Sequence, residues 1–237
     1  MKNIKLLYVW FLFGFLFTAC NQTQVKSEVH QSKYCTNQMS LFSVPDSLKK
    51  ITIDYQLEAK PLLKSIEEKL DTNVCGELVG FGLILENEDV VKVKYRKMCD
   101  DGMISCYLGR KEANVILNLK GLLLIEHEIV PMDSVKFWMR KNFLKKKVIK
   151  YKRTSVLWDV ETPKDSIEKA FAAIRDGYLL VYENLAQELF SKKICELKTS
   201  EIDTLKKRLP FTVELDLKRT ILLPPPPPPI ETTEEEE

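Results

Sequence analysis

The sequence predicts an α+β protein in which small mixed sheets pack against helices. Short runs alternate strictly between apolar and polar residues, as where Val91, Val93 and Tyr95 interleave with Lys92, Lys94 and Arg96. Other runs carry apolar residues at helical spacing, and the order of strands and helices in the first half is taken up again in the second. At 45% apolar and 30% charged residues, the chain can bury a core.

Residues 20–47 are polar, with Pro45 near their end, and read as a tether. A first α+β unit is expected over 48–110. It has a short strand at Ile51-Thr52-Ile53 and a helix over 61–70 with Leu62, Leu63, Ile66 and Leu70 on one face. Strands over 78–85 and 90–95 follow, joined by a turn at Glu86-Asn87-Glu88-Asp89. A second unit is expected over 111–218. Residues 115–130 form a hairpin in which Lys120-Gly121 supplies a turn residue that tolerates positive φ. Pro131 suits a first helical position, and Val135, Met139 and Phe143 make one helical stripe. After a brief strand at Val156-Leu157-Trp158, Thr162-Pro163-Lys164-Asp165 starts a long helix, with Thr162 as the capping hydroxyl. Its seam is Ile167, Phe171, Ile174, Tyr178, Val181, Leu185 and Leu189. Gly177 interrupts this helix at a cost of about 1 kcal/mol relative to Ala, unless something packs closely there. Residues 219–237 are a tail: six prolines from Pro224 to Pro229 make a polyproline II spacer of about 19 Å, and five glutamates fall in the last seven residues.

The amino terminus has a signal's order: Lys2 and Lys5, an uncharged apolar run from Leu6 to Phe17, then Thr18 and Ala19 before Cys20. The run is shorter than the about 20 residues of a comfortable membrane span. Phe17-Thr18-Ala19-Cys20 resembles the lipobox of bacterial lipoproteins, with Phe17 in place of the usual Leu. The resemblance implies removal of residues 1–19 and a lipid anchor on Cys20. Asn21 and Gln22 give no acidic residue after the cysteine, so an outer-membrane, periplasm-facing position is expected in preference to the inner membrane.

Net charge is +2, so no global field points to nucleic acid. Charge is unevenly placed, however. Between 136 and 153 nine residues are basic (Lys136, Arg140, Lys141, Lys145, Lys146, Lys147, Lys150, Lys152, Arg153) and none is acidic. Such a face is either solvated or meets anionic lipid, cell-wall polymer or an acidic tail. Among the cysteines, Cys99 and Cys106 flank Asp100-Asp101-Gly102 and form a candidate disulfide. They oppose each other only if the loop spans 101–104; a two-residue turn would set Cys99 against Ile104 instead. Cys35, Cys75 and Cys195 cannot be paired by spacing.

Catalytic and metal-binding patterns are sparse, and no cofactor is expected. Glu126-His127-Glu128, read as strand, points its carboxylates away from the imidazole. There is no G-x-S-x-G, no phosphate-cradling glycine loop and no H-E-x-x-H. Asp100-Asp101-Gly102 is read as a turn, because hydrophobic residues follow where calcium ligands should alternate.

Residues 114–218 resemble the periplasmic domain of ExbD/TolR-type biopolymer transport proteins. The resemblance lies in Asn118, Gly121, Leu122-Leu123-Leu124-Ile125, Val130-Pro131-Met132-Asp133-Ser134-Val135, and the charged segment from Tyr182-Glu183-Asn184-Leu185 to Arg208-Leu209-Pro210. It implies a β-β-α-β-α order and a protein-binding role beside an energy-transducing complex of a Gram-negative envelope. The proline run followed by glutamates is similar in composition to TonB linkers. Residues 6–19 contain no acidic residue, so the family's membrane aspartate is missing and this chain is not expected to carry the proton path. The expected function is therefore non-catalytic: a lipoprotein that binds an envelope protein or itself through a sheet edge and the long helix over 164–193. The alternative is a structural or wall-binding lipoprotein that uses the basic 136–153 face.

Overall fold

The computed structural model describes residues 34–72, 78–96, 112–145, 148–149, 151 and 153–217. Cys20, Cys75, Cys99, Cys106, Lys146, Lys147, Lys150, Lys152 and the proline-rich tail lie outside these residues. Helix α1 (Thr36–Leu41) comes first, then strand β1 (Lys50–Ile51), helix α2 (Ala59–Leu70), β2 (Leu78–Ile84) and β3 (Val90–Arg96). The second half supplies β4 (Glu112–Leu117), β5 (Leu123–Ile125), β6 (Glu128–Val130), α3 (Val135–Phe143), β7 (Leu144–Lys145), β8 (Val148–Ile149) and β9 (Arg153–Trp158). Helices α4 (Lys164–Phe190) and α5 (Thr199–Arg208) precede the last strand, β10 (Val213–Leu215).

Eight strands form one mixed sheet in the order β1-β2-β3-β10-β9-β4-β5-β6, while β7 and β8 pair separately. The α+β class expected from sequence is what the chain adopts. The boundary expected near residue 110 does not divide the sheet, because β10 inserts between β3 of the first half and β9 of the second. Contacts from α4 reinforce this joining. The Glu86 N–H donates to Glu168 Oε2, Lys164 pairs with Glu86 at 2.5 Å, and Arg175 pairs with Asp89 at 3.0 Å.

Strand register explains the core. One row runs Phe81, Val93, Val213, Thr154 and Ala113, and the next runs Val79, Tyr95, Leu215, Val156, Val115 and Ile125. Side chains alternate across a sheet, so both rows face the same way, and all but the partly buried Val79 are buried. Onto the core pack Ile167, Phe171, Ile174, Tyr178, Val181 and Leu185 of α4, none with any exposed surface, and Val135, Met139 and Phe143 of α3. Gly177 meets α3 directly, since a Cβ there would collide with Met139 Sδ. The close packing that would justify a helical glycine is present.

Several sequence expectations change. Leu189 does not extend the seam; it is 36% exposed near the end of α4, which stops at Phe190, with Ser191 in the left-handed region at φ 54°. Residues 115–130 hold two turns rather than one. The first is the expected one at Gly121, φ 71°, and the second is Glu126-His127, both at positive φ (50° and 72°). Thr162 does not cap α4: its hydroxyl accepts from Asp159 N and donates to Asn118 O, and Pro163 occupies the cap position. Pro131 precedes a 3-10 turn, Met132–Ser134, before α3 begins. The tether expected up to residue 47 is folded from Thr36, where α1 is fixed by a Cys35–Cys195 disulfide. Asn37 Nδ2 donates to Ile194 O and Leu197 O, and the Phe42 ring stands edge-on to Phe211 at 4.9 Å.

Candidate interaction surface

β6 is a terminal strand of the sheet. The two-residue turn makes Ile125 and Glu128 the first hydrogen-bonded pair across β5 and β6, and Leu123 with Val130 the next. Ile129, opposite Leu124, therefore turns its backbone N–H and C=O away from β5, toward the open side. Its side chain is 71% exposed. The turn is held from below: Glu126 Oε1 accepts from the Asn114 N–H at 2.7 Å and from Asn114 Nδ2 at 3.0 Å. Glu126-His127-Glu128 is thus a turn and not a continuous strand. Its first carboxylate serves the hairpin.

α3 flanks this edge. Trp138 Nε1 donates to Glu128 Oε2 at 2.9 Å, tying the helix to β6. Val135, Met139 and Phe143 face the core, which leaves Phe137, Arg140 and Lys141 outward, with Arg140 and Lys141 three and four residues beyond Phe137. Phe137 is 54% exposed, and the Lys136 ammonium lies 5.1 Å from its ring centroid. The rim is therefore apolar and basic together, beside a strand edge to which no other strand pairs among the described residues.

The basic face expected over 136–153 is only partly assembled. Lys136, Arg140 and Lys141 lie on α3, and Lys145 lies in β7. Arg153 leaves the group: it points across the sheet to Glu214, bonding at 2.6 Å to a carboxylate that is 7% exposed. Nothing in the local sequence signals this pairing, because Glu214 is brought alongside by β10.

Among the remaining described polar groups, most contacts hold the fold. Thr154 Oγ1 donates to the Tyr178 hydroxyl, which donates to Thr212 O at 3.1 Å. Tyr182 donates to Leu209 O at 2.6 Å. Burial pushes the phenols of Tyr55, Tyr178 and Tyr182 well above their ordinary range, with the Glu168 charge adding to the effect at Tyr55. Lys192 hydrogen-bonds Glu201 and holds its carboxyl below the usual carboxylate range. Among the described residues no group of three His, Cys, Asp or Glu side chains is placed to hold a metal, and no helix is long and apolar enough to cross a membrane.

Fold and surface together define an α+β protein in which β6, a terminal strand with no further strand paired to it among the described residues, is backed by an aromatic and basic helix. No family model, curated protein or solved structure matches this chain.

Proposed function

We propose that this chain is a non-catalytic envelope lipoprotein, an ExbD/TolR-like binding module that docks a protein partner along β6. The observation that carries the reading is Ile129, whose backbone groups and side chain are all presented outward on a terminal strand. A partner strand added there gains main-chain hydrogen bonds, while Phe137 and the α3 cations select its side chains. The docking area is narrower than the sequence suggests. The long helix α4 buries its seam and acts as support, so the partner meets the edge and α3. Lipid on Cys20 and a periplasm-facing, outer-membrane position complete the proposal, which rests there on the Phe17-Thr18-Ala19-Cys20 motif. Membrane-coupled transport systems are the setting that the family resemblance favours.

The test is a photoreactive residue at position 129 of the full chain in intact envelopes. Capture of a discrete protein supports docking, and an edge that captures nothing above a control position removes it. Palmitate labelling of the wild type but not of Cys20→Ala tests the anchor separately. The exposed Arg140 and Lys141 favour one second reading, a wall-binding lipoprotein. Co-sedimentation with cell wall that salt abolishes would support that alternative.

A further inference from the structure

We propose that the carboxy-terminal segment of this same chain, residues 224–237, docks across the outer face of α3. Its glutamates lie on Lys136, Arg140 and Lys141, and it covers the surface beside the β6 edge until a partner displaces it. The regulatory part of this rests on the reading of β6 as the docking edge; the contact itself does not.

The first support is where the described chain ends. β10 runs parallel to β9 and ends at Leu215, and the Asp216 N–H donates to Val156 O. β4 is parallel to β9, with Leu117 opposite Trp158. β5 starts at that end, and β6 returns to it with Val130 opposite Leu123. The end of β10 and the entry to α3 thus lie at one end of the sheet. Four inter-strand spacings separate β10 from β6, about 19 Å in all. The six-proline run spans about 19 Å as polyproline II, so the acidic end can be delivered to α3 without strain.

The path and its end are chemically matched. Between the end of β10 and α3 lie Leu119, Leu122 and Val160, 41%, 50% and 38% exposed, in two loops joined by the Thr162–Asn118 hydrogen bond. Ile221, Leu222 and Leu223 precede the prolines. Phe137 is an exposed aromatic ring on α3 with the Lys136 ammonium over it, and Arg140 and Lys141 flank it on the same side of the helix. Of the last seven residues five are glutamate, and no acidic residue occurs between 136 and 153.

The experiment places a benzophenone amino acid at position 230 of the full chain, in place of Ile230, and maps the adducts by digestion and mass spectrometry. The expected result is an adduct at monomer mass in the peptide carrying 136–141. It should be lost in the triple variant Lys136→Glu, Arg140→Glu, Lys141→Glu, and at about 1 M salt, where charges are screened beyond about 3 Å. A thermal melt of the triple variant shows that it remains folded. If that variant fails to fold, the salt arm decides alone. Adducts elsewhere, adducts at dimer mass, or a yield indifferent to charge and salt overturn the proposal. Capture at position 129 by a chain ending at Leu223 separates the two readings. If a partner is captured there while position 230 never meets α3, the tail proposal falls and edge docking stands. If position 230 meets α3 but truncation leaves capture at 129 unchanged, the tail does not regulate the edge.

Discussion

Replacing Gly177 by alanine places a methyl group in the close contact that α4 makes with Met139 of α3. On an open helix the change would gain about 1 kcal/mol, because glycine loses more backbone entropy than alanine on folding. At 177 the new Cβ would run into Met139 Sδ and lie 3.1 Å from Met139 Cβ and Cγ. The sulfur can swing aside, but Cβ is fixed by the α3 backbone, Cγ can move only by a change of rotamer, and Met139 is only 2% exposed. The helices must part slightly, and overpacking of this kind costs about 1–3 kcal/mol. After the helical gain, the net expectation is a loss of about 1 kcal/mol, or about 2–4 °C in Tm for a chain of this size. Met139→Ala alone should cost about 2–5 kcal/mol. In that background the methyl has room, so Gly177→Ala should become stabilising by about 1 kcal/mol, a coupling of about 2 kcal/mol. Urea unfolding followed by far-UV circular dichroism, with the disulfide intact, measures all four corners of the cycle. A stabilising Gly177→Ala in the wild-type background, or the same effect in both backgrounds, would refute the packing account.

The Cys35–Cys195 bridge closes a sequence separation of 160, so Cys195→Ser should lower stability by about 2–4 kcal/mol, read as a shift in the urea midpoint under oxidising conditions. Tyr178→Phe takes the acceptor from the Thr154 hydroxyl in a buried site, while the Thr212 carbonyl keeps the Thr154 N–H; a loss of about 1–3 kcal/mol in the same assay is expected. Burial keeps Tyr55, Tyr178 and Tyr182 neutral in the folded chain, whereas unfolded phenols ionise near pH 10. Their folded pKa values are raised, so their contribution is intact below about pH 10 and is lost as pH rises further. Absorbance at alkaline pH should show these phenols ionising together with unfolding; ionisation in a chain that stays folded would contradict this.

Where local pattern decides structure, the sequence was readable. The α4 seam, the α3 stripe, the alternation of β3 and the left-handed Gly121 all follow from periodicity or from the freedom of one residue. Gly177 was legible as a demand for close packing, though Met139 as its neighbour was not. Contacts made through distant strands were invisible. β10 merges the halves that the sequence set apart, and it also takes Arg153 out of the basic face by bringing Glu214 beside it. Cys35 and Cys195 carry no spacing signal, and α1 is a six-residue polar helix held by Asn37 and Phe42 contacts, not by propensity. The Glu126-His127 turn has no glycine. It is stabilised instead by Glu126 bonding to Asn114, a partner twelve residues earlier. The candidate edge was legible only as a hairpin strand; that β6 ends the sheet is a property of the whole topology.

The most direct test of docking at β6 is Ile129→Pro in the full chain, with partner capture measured by photocrosslinking from the neighbouring position 127. Proline removes only an N–H that faces away from β5, so the β5–β6 ladder and the melting temperature should be largely kept, as for prolines on edge strands. Edge docking predicts that capture is lost while the fold survives. Undiminished capture by the proline variant would contradict it.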